Sequence, residues 1–158
     1  MERGTTLLLK ATVCLLALPV LAVCLVGLPL FARNASDLYP AYWLYPLIVI
    51  AYASAIPYFM ALYQSFKLLI FIDRNDAFSD GSVLALRKIK LFAIAIAVLF
   101  TASLPFLYFI ADQDDAPGLI IIGMVIIFAS IIIAAFAAVL QKLLQNAIAI
   151  KSENDLTV

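Results

Sequence analysis

Four stretches of this chain carry no Asp, Glu, Lys or Arg: 11–32, 38–66, 91–111 and 116–141. Each reaches the length of about 20 apolar residues that a helix needs to cross a hydrocarbon core about 30 Å thick. In hydrocarbon every backbone amide must be satisfied within its own segment, so these stretches are helices. The residue-by-residue alternation of a membrane barrel is absent. Water is excluded as the solvent, because 66% of the residues are hydrophobic and only 13% are charged. At 158 residues and a mean hydropathy of +1.13, a small soluble domain could not hide so much apolar surface. The expected fold is all-α, one four-helix membrane domain over 1–158. Its spans fall at about 11–32, 42–66, 91–111 and 118–140, joined by a loop at 67–90 and followed by a tail at 141–158. The alternative for the first span, a cleaved signal peptide behind Arg3 and Lys10, suits an apolar core of only about 7–15 residues.

Nine of the ten basic residues lie before the first span, between the second and third, or after the fourth; Arg33 is the exception. That asymmetry places both termini and the central loop in the cytoplasm. Asp37, Asp112, Asp114 and Asp115 then face outward. Tyr39, Tyr42, Trp43, Tyr45 and Tyr108 fall at the outer headgroup level, where amphipathic rings are favoured.

Pro19, Pro57 and Pro105 lie within spans. Each lacks a donor and crowds the carbonyl four residues back, at Leu15, Ala53 and Thr101. Ser54 and Ser103 are the hydroxyls expected to help satisfy freed groups, and helix–helix hydrogen bonds are expected for the deep polar residues, Ser130 included. Tyr45, Tyr52, Phe59 and Phe66 recur every seven residues, with Tyr63 beside them. They share one helix face, which is read either as packing or as a wall for an apolar ligand. Ala129, Ser130, Ala134, Ala135, Ala137 and Ala138 allow close helix approach in the fourth span.

The second helix is expected to continue through 68–72. The fourth is expected to run from about 118 to 150, because Leu140, Leu143, Leu144, Ala147 and Ile148 keep helical spacing. Between them Ser79 reads as an N-cap with Asp80 in the first turn, and Phe78 and Val83 hold the staple positions. No breaker follows until Pro105, so this helix enters the third span directly, with Arg87, Lys88 and Lys90 at the headgroups.

The spans carry no ionisable acid or base, and the chain has no histidine. Proton relays, charged conduction rings and the usual acid–base or metal chemistry therefore lack their groups, and neither an enzyme nor a cofactor is expected. The two cysteines, Cys14 and Cys24, are separated along one helix by roughly 15 Å, beyond disulfide reach. Asp112, Asp114 and Asp115 make a poor cation cage in so short a loop. Asn34, Ala35 and Ser36 form a glycosylation pattern of low specificity.

The stretch from Phe78 and Ser79 through Val83, Leu86, Arg87 and Ile89, with the ending Glu153-Asn154-Asp155-Leu156-Thr157-Val158, resembles YoaS-like bacterial membrane proteins, a family of unknown function. Gly81 departs from many relatives and is expected to loosen the first turn of its helix. The resemblance implies a bacterial cytoplasmic membrane. It also implies a neighbouring short helix-turn-helix regulator, which this protein would bind without catalysis. Phe78, Ser79, Arg87, Lys88, Glu153, Asn154, Asp155 and Leu156 are the expected contacts. The alternatives are a sensor or carrier of an apolar molecule or lipid, using Tyr45, Tyr52, Phe59 and Tyr63, and an accessory subunit of a larger complex. Expected partners are the bilayer, a small cytosolic protein and a second copy of the chain, with no direct nucleic-acid contact.

Overall fold

The computed structural model describes residues 3–157 and is built of helices joined by short turns, with no strand among those residues. The helices are α1 (Arg3–Ala22), α2 (Leu28–Ala35), α3 (Ala41–Asp73), α4 (Asp80–Asp114) and α5 (Gly118–Thr157), with a π-helical turn at Val23–Gly27 joining α1 to α2. Four helical stretches are long and apolar enough to cross a membrane, the first being α1 and α2 together. In space α1 packs against α3, α3 against α4 and α4 against α5. Neighbours in sequence are thus neighbours in space, as short connections between antiparallel helices require.

The first spanning helix contributes almost no core. Within 7–35 only Lys10, Val13, Ala17, Val20, Cys24, Leu28, Ala32 and Ala35 escape full exposure. They form the stripe that meets α3. From Val20 to Ala32 the stripe advances four residues per turn, which would drift around a regular helix. The wider π-turn absorbs the excess. Its signal lay in Pro29, one of two prolines inside helical stretches, with Pro46, that the sequence reading passed over.

The turn between α3 and α4 is built by local chemistry. Asn75 takes the left-handed conformation (φ 58°). The Asp76 N–H reaches Phe71 O at 2.8 Å and the Asn75 N–H reaches Ile72 O at 3.1 Å, which closes α3 with a Schellman motif. Ser79 then caps α4, accepting the Ser82 N–H at 3.3 Å. Phe78, in the staple position, remains 56% exposed. Gly81 also makes room between two helices. A Cβ there would stand 2.7 Å from Phe71 Cζ, so the missing side chain lets the end of α3 close on the start of α4.

α4 and α5 meet through small residues. Gly123, Ser130, Ala134 and Ala137 are buried along one face of α5. A Cβ on Gly123 would lie 3.0 Å from Leu107 and 3.3 Å from Leu104. The deep hydroxyls do not bridge helices as expected. Ser54 donates to Ala51 O, Thr101 to Ala97 O, Ser103 to Phe100 O and Ser130 to Ile126 O. A hydroxyl within its own helix reaches the carbonyl three or four residues back. Ser54 and Ser103 therefore cannot relieve the proline-freed carbonyls at Ala53 and Thr101.

Candidate functional site

At one end of the molecule the helices end unevenly. Gly123 faces Leu104 and Leu107, so equal rise in two antiparallel helices sets Asp80 level with about residue 150 of α5. The helix continues to Thr157, further than the apolar periodicity reaches, because 151–157 contains no breaker. Its last turns project beyond α4. The expected partner contacts lie around this projection. Arg87, Glu153, Asn154, Asp155 and Leu156 are exposed, Ser79 and Lys88 are partly covered, and Leu156 is 83% exposed. They do not form one surface in every member, since the Ser79 side chain is engaged as the cap. Ser82, wholly buried, approaches Ser79 Oγ and Asp76 O at 3.4 Å.

At this same end Lys10 pairs with Asp73 at 3.8 Å and lies 5.7 Å from the centre of the Phe66 ring. The contact ties α1 to the cytosol-expected end of α3. Two tyrosines of α3 continue the tie, Tyr52 from the aromatic face and Tyr58 from outside it. Leu28 N–H bonds five residues back to Val23 O. The next donor in that register would belong to Pro29, which has none. The orphaned carbonyl of Cys24 accepts the Tyr52 hydroxyl at 2.9 Å, and Leu16 O accepts Tyr58 OH at 2.8 Å. Tyr52 is thus engaged by α1. Tyr45 and Tyr63 remain 58% and 63% exposed, and Phe59 is partly covered beside Tyr58.

These two hydroxyls make unequal predictions. Tyr52→Phe leaves Cys24 O without a donor, an omission costing about 1–3 kcal/mol. Leu16 O retains the N–H of Val20 in its own helix, so Tyr58→Phe is expected to cost under about 1 kcal/mol. Unfolding of the detergent-solubilised protein by dodecyl sulfate measures both; a larger loss for Tyr58→Phe contradicts this reading.

The opposite end is held by aromatic and acidic groups. Trp43 stacks on Phe109 with centroids 5.2 Å apart. Gln113 Nε2 donates to Leu38 O at 3.0 Å, and the Tyr39 hydroxyl donates to Asp114. That hydrogen bond, then burial and the carboxylate's charge, raise the Tyr39 pKa above its ordinary value. The hydroxyl therefore stays protonated through the neutral range and keeps its donor role. No three acidic or cysteine side chains among the described residues converge as metal ligands would.

Two apolar hollows flank the helices. A cleft of about 170 Å³ lies among α2, α3, α4 and α5, lined by Phe31, Ala51, Ser103 and Gly123 among others. An open groove of about 720 Å³ runs between α4 and α5. Neither is lined by Tyr45, Tyr52, Phe59 or Tyr63, so the aromatic face and the hollows are separate surfaces. Sequence periodicity could show that a face existed but not which helix it would meet.

Among the described residues the architecture is four helical stretches able to span a membrane, a capped turn before α4 and a helical tail carrying Glu153 and Asp155. The family described as Protein of unknown function (DUF2975) matches residues 30–158. The chain belongs to that family. The match takes in α3, α4 and α5 and begins within α2, leaving out α1, which has no fully buried side chain among the described residues. Over its full length this DUF2975 chain is also similar to the uncharacterized membrane protein YoaS of Bacillus subtilis (strain 168), with 52% identity over 160 residues covering 100% of both proteins. No solved structure matches it.

Proposed function

We propose that this membrane protein is a non-enzymatic anchor that holds a small soluble protein at its projecting helical end. In this reading that end faces the cytoplasm, as the retention of nine of the ten cations near it favours. The observation that carries the proposal is the projection of α5 beyond α4. It offers Leu156, 83% exposed, and at its base, level with the start of α4, Ile150, 65% exposed. At about 1.5 Å per residue the 40 residues of α5 extend roughly 60 Å, twice the apolar thickness of a bilayer. Glu153 and Asp155 beside Leu156 add negative charge, which suits a basic partner with an apolar socket. A short helix-turn-helix protein is the partner implied by the YoaS resemblance.

Co-purification of such a protein with the solubilised full chain tests the proposal. Removing 151–158, or introducing Leu156→Asp, is expected to lower recovery about ten-fold, the effect of losing a buried apolar anchor. Equal recovery by all three forms overturns the role of the tail. Labelling a tag placed after Val158 only once the membrane is breached supports the orientation; labelling on intact cells overturns it.

A further inference from the structure

The groove between α4 and α5 has an electrostatic end. Its floor is Ala97 and Ala134, small and each 7% exposed, and its walls are Ile94 and Val98 on one side, Ile131 and Ala135 on the other. At its far end Thr101 spends its hydroxyl on Ala97 O at 2.7 Å, leaving no unpaired donor in the hollow. Continuing each wall at helical spacing leads to charge. On α4, Val98 and Ile94 are followed by Lys90 and Arg87; on α5, Ile131 and Ala135 are followed by Ala138 and Lys142. Because the helices are antiparallel, Lys142 is level with about residue 88, so the three cations flank one mouth. Among the described residues none of the three has an acidic partner.

The heights also agree with one bilayer leaflet. From Lys90 to Thr101 is roughly 16 Å along the helix, about half of a 30 Å hydrocarbon core. We infer that this groove binds one acyl chain of an anionic phospholipid, with Arg87, Lys90 and Lys142 holding its phosphate-bearing headgroup. Charge complementarity selects this occupant over a second copy of the chain, whose apolar helix would leave the cations unpaired. The site does not use the 151–158 tail proposed to bind a soluble protein, though it takes Arg87 from among the residues expected to contact that protein.

Native mass spectrometry of the full chain in detergent, with phosphatidylglycerol or phosphatidylcholine of identical chains, tests the inference. The wild type is expected to retain one phosphatidylglycerol per chain in preference to phosphatidylcholine. Arg87→Gln, Lys90→Gln and Lys142→Gln together are expected to lower phosphatidylglycerol affinity about ten-fold or more. Ala135→Trp, which fills the groove, is expected to remove retention with the cations still present. Circular dichroism shows whether each variant keeps its helices. Equal retention of the two lipids by the wild type, or unchanged retention of phosphatidylglycerol by either helical variant, overturns the site. A lipid-free dimer that Ala135→Trp dissociates overturns it too, by giving the groove to a second copy.

Discussion

Leucine in place of Gly123 is expected to separate α5 from α4 and to lower stability by about 2–3 kcal/mol, the upper part of the range for forcing bulk into a packed site. The comparison with alanine makes the expectation specific. A Cβ at this position meets only the terminal methyls of Leu107 and Leu104, at 3.0 and 3.3 Å. Such methyls can swing aside, and alanine gains about 1 kcal/mol of helix propensity over glycine. Gly123→Ala is therefore expected to be close to neutral. Leucine carries three further carbons beyond that Cβ, and they must push Leu104 and Leu107 away from α5 or turn into the cleft that Gly123 also lines. Without a hydrophobic driving force between helices in lipid, close backbone approach supplies much of the attraction. Dodecyl sulfate unfolding of the two variants decides it; if leucine is as mild as alanine, close approach at Gly123 is not what joins these helices.

The parts of the structure that were legible in the sequence are those set by local chemistry or by the solvent. Hydrocarbon thickness dictates the four spans, and Ser79 followed by Asp80 marks the start of α4 because an N-cap acts within one turn. The continuation of the last helix through Ile148 followed from apolar spacing, although α5 continues to Thr157, beyond where that spacing stops. What remained hidden depends on partners distant in sequence. The heptad of aromatic residues announced a shared face, but only the neighbouring helix reveals that Tyr52 satisfies the Cys24 carbonyl. That carbonyl is orphaned by the π-turn ahead of Pro29, a local consequence of a proline that periodicity alone does not weigh. The groove with its cations was hidden for the same reason: Lys90 and Lys142 are 52 positions apart in the chain and share a mouth only once the register of α4 on α5 is known.

Gly81 tests how far a glycine's role can be non-local. Read alone, it costs α4 up to about 1 kcal/mol of helix propensity, so alanine there should stabilise. The fold opposes this, since the added Cβ would stand 2.7 Å from Phe71 Cζ and 3.2 Å from both neighbouring ring carbons. All three of the nearest atoms belong to one rigid ring, so Phe71 can clear the Cβ only by turning or tilting that ring as a whole. Overpacking of this kind costs about 1–3 kcal/mol, which exceeds the propensity gain, so Gly81→Ala is expected to destabilise by about 1 kcal/mol or more. Phe71→Leu removes the ring at a cost set by its partial burial. In the double variant the collision is gone while the propensity gain stays. The pair is therefore expected to be more stable than the sum of the single effects, by about 1–2 kcal/mol of coupling. Additive effects, or a Gly81→Ala protein more stable than the parent, would mean that the ring swings aside without cost and that α3 and α4 close on each other for some other reason.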